Sequence, residues 1–594
     1  MDTLSLDPEF HTPFCALSYM WGSSAVKRPV RINGIDAEIT ENLYLALLDL
    51  CRSPMGNIPY WWVDALCIDQ ENAEERRIQV QMMTRIYSSA SETVAHFGAL
   101  NPSAGLRMLG TLAVRRTMPN PAVWMIEAAS DEALAADWQA LHALLHAPYW
   151  SRVWILQETI VSTRLLLFDP AGPWLDIWRA LQAFVFIMVM QPIISVPLME
   201  NAKVNFGHEF MAVHRQLGLK RKYYPDEGAG TVAAMKATAT PPPFLIALCS
   251  ALQLKATDPR DHLYALLGLT QGGKKLIGAP DYAASPGTVF ATFLRSYCHE
   301  FQDLDMMLLS SPTRRLPGLP SWVPDLSSFE GHYYRNSIVL ETLRTIGNNL
   351  DNVVKDKAYL EKGRFHASRF LPTDAEFSDD LRVLTISGIN LGRIAGLGGY
   401  VGMTITEEGH GNLQDPTPCT QRTEGATASP PSTDRAWILE AVASALTPGI
   451  LQPPLPAEDD ALRKQLPFGL RGEILAAVVH LAVDKKLTSP FLWGLENWWT
   501  QNKDLVVRGR TLADWVLGDD LTSEARQTEL TKAKHELNET VWRGVAMEGM
   551  LNIFLSRLSH VTLEMQRRLL VTVDGQVGLA PDSCHPATIA SWRV

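Results

Sequence analysis

The chain has no block of basic residues, no paired cysteines and no secretory signal. Its 594 residues include 53 Lys and Arg against 64 Asp and Glu, a formal charge of −11. A mildly acidic chain of this kind is not expected to bind nucleic acid or an anionic membrane surface. The seven cysteines are scattered without a CxxC pair, which predicts reduced thiols rather than disulfides or a zinc site. Residues 1–13 contain no basic region followed by an apolar stretch, so we expect a cytoplasmic protein.

The most apolar segment, residues 183–199, is short for a membrane span. Its unbroken part ends at Met190, and a spanning helix needs roughly 20 apolar residues. Gln191, Pro192 and Pro197 then interrupt it. We therefore expect a buried helix and no stable membrane insertion.

Several common catalytic motifs are absent as well. The sequence contains no GxSxG elbow, no HExxH pair and no Walker A loop, and it lacks a Gly-rich loop that would cradle phosphate. Cys67 has no histidine nearby in the sequence, so a buried thiol is its commoner interpretation. We predict no metal ion and no resident cofactor.

The first hundred residues alternate between strand-like and helix-like segments. Asn33-Gly34 lies between alternating apolar residues and predicts a two-residue hairpin. Thr40 is suited to cap one helix, and Asn72 with Glu75 forms the pattern of a capping box for another. The short apolar runs that predict buried strands are Phe14–Tyr19, Tyr60–Cys67 and Thr93–Phe97. This alternation is typical of an α/β domain built on a parallel sheet.

Later segments predict a mostly α-helical middle and a mixed α+β C-terminal region. Trp150–Thr159 and Asp258–Leu269 are expected to begin helices, and Asp574-Gly575 predicts another hairpin. Residues 404–435 are polar without periodicity, which predicts a disordered insertion. We divide the chain into an α/β domain (1–170), a helical extension packed on it (171–330) and an α+β region (331–594).

Polar residues follow the first two predicted strands of the sheet. The first strand ends in Ser18-Tyr19-Met20-Trp21-Gly22, and the second ends in Asp64 to Gln70. Ligands of open α/β sheets bind at the carboxyl ends of the strands, so we expect these residues to share one rim. A structural role is open for each: Trp21 is equally suited to plug the edge of the core, and Asp64 to bond loop amides.

Six short motifs follow one another between residues 16 and 158. They are A-L-S-Y-x-W-G from Ala16, N-L from Asn42, W-V-D-A-L-C-I-D-Q from Trp62, E-R-x-x-Q-V-x-x-M from Glu75, I-Y-x-x-A from Ile86 and R-V-W-I-L-Q-E from Arg152. In this order and at this spacing they resemble the HET domain of fungal heterokaryon-incompatibility proteins. Weaker similarity continues in D-P-R-D-H-L-Y-A-L-L-G-L from Asp258 and P-D-Y from Pro280, although Asp258 and Asp261 are equally suited to a helix N-terminus.

The resemblance implies a trigger or effector of incompatibility, which acts when unlike fungal cells fuse and leads to regulated cell death. It also implies a flavodoxin/TIR-like fold, and some TIR domains cleave NAD. That chemistry needs a carboxylate near a cationic centre, for which Glu158 is the first candidate and Glu75 the second. The residues that the motifs and the shared rim together nominate for binding are Ser18, Tyr19, Trp21, Gly22, Asp64, Asp69, Gln70, Arg76, Gln79, Trp154 and Gln157.

Three hypotheses follow from the resemblance. The first is an incompatibility protein that works through a protein partner or self-association. The second is a TIR-like enzyme with NAD as its substrate and a glycohydrolase-like activity. The third is a HET-like accessory protein of a secondary-metabolite gene cluster. An assay of NAD loss separates the second hypothesis from the first, and the gene neighbourhood separates the third.

Overall fold

A computed structural model describes residues 12–206 except residues 24 and 53–59, most of residues 241–301, residues 316–327, separate segments between residues 375 and 581, and a few shorter stretches. The N-terminal strands are β1 (Cys15–Tyr19), β2 (Lys27–Ile32), β3 (Ile35–Thr40), β4 (Trp61–Trp62), β5 (Glu92–His96), β6 (Leu165–Leu167) and β7 (Leu175–Asp176). Five of them form one sheet in the order β4-β1-β5-β6-β7. All neighbours in this sheet are parallel except β6 and β7.

Helices connect and cover these strands. They are α1 (Glu41–Arg52), α2 (Asp64–Cys67), α3 (Ala73–Ser89), α4 (Ser103–Arg115), α5 (Pro121–Ser130), α6 (Ala135–Leu145), α7 (Val153–Ile160), α8 (Ile177–Asn201), α9 (Phe244–Ala251), α10 (Asp261–Tyr264), α11 (Gly273–Ile277) and α12 (Pro286–Phe301). Short 3-10 turns span Glu132–Leu134 and Pro148–Ser151. The predicted α/β architecture of the N-terminal region is therefore confirmed.

The side chains of β1 alternate between two hydrophobic clusters. Ala16 packs in a large cluster with residues of α3, α7, α9 and α12. Leu17 and Tyr19 belong to a smaller cluster with residues of α1. Successive side chains of a strand point to opposite faces of the sheet, so Ser18 faces the same side as Ala16, toward α7. This alternation places a hydroxyl group in the buried layer between the sheet and α7.

The three predicted strands are parallel neighbours, but the second is shorter than expected. Strand pairing is limited to Trp61 and Trp62, and Asp64–Cys67 forms a helical turn instead. β4 lies at the edge of the sheet and pairs with β1 alone, so few backbone hydrogen bonds hold its chain extended. The same edge position leaves both tryptophans only half-buried.

The predicted hairpin is confirmed. Asn33 and Gly34 have φ angles of 52° and 81°, the left-handed backbone that this tight turn requires. β2 and β3 pair antiparallel from Lys27–Thr40 to Ile32–Ile35. The predicted cap by Thr40 is wrong, because its buried hydroxyl makes no hydrogen bond with any residue that the structure describes.

The N-terminus of α3 is capped by Asn72, as predicted. Its Oδ1 accepts hydrogen bonds from the amides of Glu74 and Glu75, at 3.1 and 3.2 Å. The Glu75 carboxylate accepts from the Asp69 amide at 3.1 Å, so it holds the preceding loop rather than completing a capping box. This contact gives Glu75 a structural function at the entry to the helix.

The apolar segment 183–199 lies within α8, where the helix is only partly buried. Phe184 and Ile187 are buried, whereas Val189, Ile193 and Val196 are exposed. Among the described residues no single helix is long and apolar enough to cross a membrane, although the bent pair Ile177–Gln191 and Ile193–Asn201 passes by length and composition.

The C-terminal segments contain both strands and helices. The strands are β8 (Ala375–Phe377), β9 (Leu384–Ile386), β10 (Ile394–Leu397), β11 (Met403–Ile405), β12 (Gly411–Leu413), β13 (Thr420–Gln421), β14 (Val506–Val507), β15 (Arg510–Thr511), β16 (Arg567–Thr572) and β17 (Val577–Pro581). The helices are Asp434–Leu446, Leu492–Asn502 and Leu512–Leu517. β16 and β17 form the predicted hairpin, and their connection at Asp574-Gly575 lies outside the described residues.

Within the range 404–435, where a disordered insertion is predicted, the structure describes parts of three short strands. β11 and β12 pair antiparallel, and β13 joins a four-stranded sheet next to β10. Short strands of two or three residues have too few positions to produce an apolar periodicity that can be recognised in a sequence. The remainder of that range up to residue 433 lies outside the described residues.

Candidate functional site

A cleft of about 910 Å³ lies where β1 and β4 end, at the carboxyl edge of the parallel sheet. One wall comes from the segments that follow β1 and β4, a second from α3 and α7, and a third from residues 255–286. The described residues that line it are Met20, Trp21, Gly22, Asp64, Ile68, Gln70, Arg76, Val80, Met83, Pro148, Ser151, Arg152, Trp154, Lys255, Ala256, Thr257, Asp258, Pro259, Arg260, Asp261, Tyr282 and Pro286. The rim predicted from the strand ends is therefore a real concave surface.

Trp21 and Asp64 hold the ends of β1 and β4 together. The Trp21 indole Nε1 donates to Asp64 Oδ2 at 2.7 Å, and Asp64 Oδ1 accepts from the Ala65 amide at 2.7 Å. Burial raises the pKa of the Asp64 carboxyl, although Arg152 and these donors oppose the shift. Burial and the neighbouring Asp64 also raise the pKa of the Tyr19 phenol. The pair thus links two strand ends, and both of its residues line the cleft.

Glu158 lies behind the cleft and does not line it. Its Oε2 accepts a hydrogen bond from the Ser18 hydroxyl at 2.5 Å, and the Ser18 hydroxyl also contacts the Tyr149 hydroxyl at 2.7 Å. Burial raises the pKa of Glu158 to about 7, against the opposing effect of Arg152 and Ser18. The carboxyl is buried, so the network joins β1 to α7 inside the protein.

Arg152 connects this buried network with the cleft. Its guanidinium donates to the Tyr19 carbonyl, and Nη1 lies 4.0 Å from Glu158 Oε1. Glu158 and Asp64 both raise the pKa of Arg152, against the effect of burial. Arg152 is therefore the counter-charge of two carboxyls, Glu158 behind the cleft and Asp64 in the cleft wall.

The third wall is contributed by chain beyond residue 240. Asp261 accepts from Trp154 Nε1 at 3.0 Å and from the Tyr282 hydroxyl at 2.8 Å. Burial raises the pKa of Asp261 to about 6. Backbone pairing also closes the seam, which is the boundary between the N-terminal domain and residues 255–286. The Val153 amide donates to the Lys255 carbonyl at 2.9 Å. The N-terminal domain and the segment after it thus form one continuous site.

Arg260 fixes the loop that carries Tyr282. It forms a bidentate ion pair with Asp258, at 2.8 Å from Nε and 2.6 Å from Nη2. Its Nη1 donates to the carbonyls of Tyr282 and Ala284 at 2.8 and 2.6 Å. The Arg76 guanidinium stacks on the other side of the seam, 4.0 Å from the centroid of the Tyr282 ring. These contacts give the third wall a defined position against α3.

The structure separates the predicted binding residues into two groups. Those that line the cleft are Trp21, Gly22, Asp64, Gln70, Arg76 and Trp154. Those that do not are Ser18, Tyr19, Asp69, Gln79 and Gln157. Ser18, Tyr19 and Gln157 are buried, and Gln157 Nε2 donates to the Thr84 hydroxyl at 2.5 Å. Of the two catalytic candidates, neither Glu158 nor Glu75 lines the cleft.

Sequence reasoning missed most of the third wall. The cleft is lined by Lys255, Arg260, Asp261 and Tyr282, whereas the D-P-R-D sequence is equally typical of a local helix N-terminus. Its helix, α10, has a single turn, and the Asp261 side chain binds across the seam rather than capping its own backbone. The available signal was the weaker similarity of the D-P-R-D and P-D-Y segments to chain that follows a HET domain.

Asn42 of the N-L motif fills the space between two strand ends. Gly22 after β1 and Gly98 after β5 have φ angles of 76° and 67°. A Cβ atom on Gly22 would lie 2.6 Å from Asn42 Nδ2, and one on Gly98 would lie 3.0 Å from Asn42 Oδ1. Both glycines are therefore required by backbone conformation and by the close approach of one amide side chain.

We expect Gly22→Ala to destabilise the protein more than Gly34→Ala. Both changes place a Cβ atom on left-handed backbone, which costs about 1–2 kcal/mol. Only Gly22→Ala also forces Asn42 to move, because nothing lies within 4 Å of a Cβ atom on Gly34. Urea unfolding of both variants measures the difference, and equal losses would show that Asn42 yields without cost.

The comparisons with known proteins find similarity within the N-terminal region. Residues 14–158 match the family model described as heterokaryon incompatibility protein (HET). A stretch of 97 residues is 33% identical to heterokaryon incompatibility protein 6, OR allele, of Neurospora crassa. That stretch covers 14% of this chain and 14% of the relative. No solved structure gives a significant match.

Proposed function

We propose that this chain, a HET-domain protein, acts in fungal heterokaryon incompatibility, in non-self recognition that leads to regulated cell death. The observation that carries the proposal is the match of residues 14–158 to the HET family, together with the position of its motif residues. Residues of four motifs line one cleft: Trp21, Asp64, Arg76 and Trp154. A relative named for heterokaryon incompatibility supports the same biology.

The proposed mode of action is binding at this cleft, with a protein partner or self-association as the outcome, in the cytoplasm. Carboxyl-end clefts of parallel sheets are where α/β domains bind ligands. The cleft is lined by both the HET domain and residues 255–286, so a ligand bound in it contacts both sides of the seam. A ligand that binds across a seam stabilises one arrangement of the two parts over others.

We propose further that the domain is flavodoxin/TIR-like. The parallel strands β1, β4, β5 and β6 are the first to fourth parallel strands along the chain, and their spatial order is β4-β1-β5-β6. That order, second-first-third-fourth, is the one with which flavodoxin-like sheets begin. The antiparallel β7 at the edge is a common addition to such sheets.

The strand order also supports the alternative function, cleavage of NAD as a substrate. A catalytic carboxylate for that reaction must reach the ligand, and Glu158 is separated from the cleft by its contacts with Ser18 and Arg152. Under this alternative, those contacts open when substrate binds, or Asp64 or Asp261 of the cleft wall takes the role. Incubation of the purified chain with NAD tests it, and unchanged NAD favours the binding mode.

The proposed function predicts that expression of the full chain from an inducible promoter in a filamentous fungal host arrests growth. Asp64→Asn should abolish the arrest, because it removes the charge of a cleft carboxyl while keeping its size and one of the two oxygens that accept from Trp21 and the Ala65 amide. Asp36→Asn is the matched control, since Asp36 is exposed in the β2–β3 hairpin outside the cleft. Colony growth and cell viability are the readouts.

Two results would contradict the proposal at different levels. Growth that is unaffected by the wild-type chain at confirmed expression would argue against a role in incompatibility. Arrest that persists in a folded Asp64→Asn variant would keep that role but move it away from the cleft. A fall in cellular NAD that accompanies the arrest would favour the enzymatic alternative.

A further inference from the structure

Some charged side chains that line the cleft form ion pairs with described residues, and others do not. Asp258 is neutralised by its bidentate ion pair with Arg260. Asp64 and Asp261 each accept a hydrogen bond from a neutral indole N–H. Arg76 and Lys255 also line the cleft, and neither forms an ion pair with a residue that the structure describes. Within the part of the chain that the structure describes, neither of these two cations has a carboxylate at ion-pair distance, although Arg76 also acts at longer range on Asp258.

Arg76 has unused hydrogen-bonding capacity as well. Its Nε atom is buried and makes no hydrogen bond with a described residue. The Cζ atom of the guanidinium lies over the Tyr282 ring, 4.0 Å from its centroid, and this contact restricts the movement of the guanidinium. A planar guanidinium fixed in this way presents parallel N–H donors, the geometry that binds phosphate or carboxylate in a bidentate manner.

Lys255 complements Arg76 from the other side of the seam. Its backbone pairs with Ser151 and Val153, which fixes the position of the residue, while its side chain remains exposed at the cleft. A lysine ammonium acts as a mobile point charge and binds phosphate oxygens without a strict geometry. The two cations therefore differ: the Arg76 guanidinium is held in place, whereas the Lys255 ammonium can move. Together they suit a group that carries several negative charges.

The aromatic side chains and the size of the cleft indicate a ligand larger than a simple inorganic ion. Trp21, Trp154 and Tyr282 line the same cavity, and their polar atoms are engaged with Asp64 and Asp261, so their rings contribute apolar wall. A volume of about 910 Å³ lies within the range of small-molecule sites. A bare inorganic anion would leave most of this space empty.

We propose that the cleft binds a small organic phosphate, with its phosphate at Arg76 and Lys255 and its organic part against the aromatic wall. The inference rests on the proposed function in using the same cleft, and it adds the chemical class of the ligand. The ligand contacts α3 of the HET domain and the segment after α9 at once. Binding would hold the two sides of the seam together.

The test is a titration of the purified full chain with ADP, inorganic pyrophosphate and citrate, followed by calorimetry and by tryptophan fluorescence. ADP should bind, and pyrophosphate should bind more weakly because it lacks a ring. Arg76→Gln and Lys255→Gln should each weaken ADP binding about 10- to 100-fold, the usual effect of losing a charge-assisted hydrogen bond. Higher salt should weaken binding in the wild type.

Matched controls are available for both cations. Arg77 is adjacent to Arg76 on α3 but pairs with Glu74 at the surface, so Arg77→Gln should leave the affinity unchanged. Lys274 in α11 is exposed and does not line the cleft, so Lys274→Gln should also have no effect. Because Lys255 has an exposed side chain, Lys255→Gln keeps the test decisive even if Arg76→Gln fails to fold.

Three outcomes would overturn the inference. They are no binding of ADP or pyrophosphate, binding that is equally strong in the two cleft variants, and a preference for citrate over both phosphates. None of these results depends on a fungal host. A chain that binds ADP but never arrests growth would refute the proposed function and keep the ligand class. A chain that arrests growth but does not bind ADP would keep the proposed function and refute the ligand class.

Discussion

Arg152→Met should lower the free energy of unfolding by about 3–5 kcal/mol at about pH 8, the usual loss when one partner of a buried charge cluster is removed. Arg152 is the shared counter-charge of Glu158, which is buried, and of Asp64, which lies in the cleft wall. Without the guanidinium, two carboxylates would remain close together with no cation in contact. The Tyr19 carbonyl would also lose its donor.

The loss should be much smaller at about pH 5, because the Glu158 carboxyl, whose pKa is raised to about 7, then takes up a proton and becomes neutral. Urea unfolding at the two pH values measures this difference. Arg77→Met is the control, since the Arg77–Glu74 pair is exposed and solvent-screened pairs of this kind contribute little to stability. A loss for Arg152→Met that is the same at both pH values would show that the carboxyls do not depend on this cation.

Glu158→Gln should remove a pH dependence from the stability of the protein. The pKa of Glu158 is raised from its ordinary value of 4.5 to about 7 in the folded state, mainly by burial. The folded state therefore binds this proton more tightly than the unfolded state. The contribution is fully present below about pH 4.5 and is lost as the pH rises through about 7.

Relative to Glu158→Gln, the wild type should therefore lose on the order of 3 kcal/mol between these pH values. Glutamine keeps the size of the side chain and does not titrate. Asp261→Asn should show the same sign over a lower range, because the pKa of Asp261 is raised to about 6. Unfolding curves of wild type and Glu158→Gln that shift in parallel with pH would contradict the buried, proton-binding state of this carboxyl.

The surface carboxylate of Glu74 provides a control for the direction of the pH dependence of stability. Arg77 lowers the pKa of Glu74, so its contribution is present above the unfolded pKa and is lost as the pH falls. Glu74→Gln should therefore change the pH dependence in the opposite direction and by a small amount. A similar response in both glutamate variants would indicate a general effect of net charge rather than the environment of Glu158.

Local chemistry was sufficient to predict several elements from the sequence. Asn33-Gly34 determines its hairpin because the turn needs left-handed backbone at both positions, which these residue types tolerate. Asn72 determines a helix start because its short side chain reaches amides two and three residues on. The parallel order of the three first predicted strands followed from the alternation with helices, which constrains how such chains connect.

The tertiary structure decided which candidate residues reach the cleft. Trp21, Asp64 and Trp154 line it and Glu158 does not, although Trp154 and Glu158 lie in the same short motif. Along a helix, four residues make about one turn, so a small difference in rotation directs one side chain into the cleft and another toward Ser18. No spacing rule within the motif specifies that rotation, because it depends on how α7 packs on β1.

The third wall depended on tertiary structure altogether. Asp261 and Trp154 are separated by 107 positions along the chain, yet they share a hydrogen bond in the cleft. The sequence by itself determined the α/β class of the N-terminal region, its turns and the motifs that resemble those of HET domains, since these depend on neighbours in the chain. Packing between distant segments decided that the site includes residues 255–286, because burial and charge pairing across a seam arise only when the two sides meet.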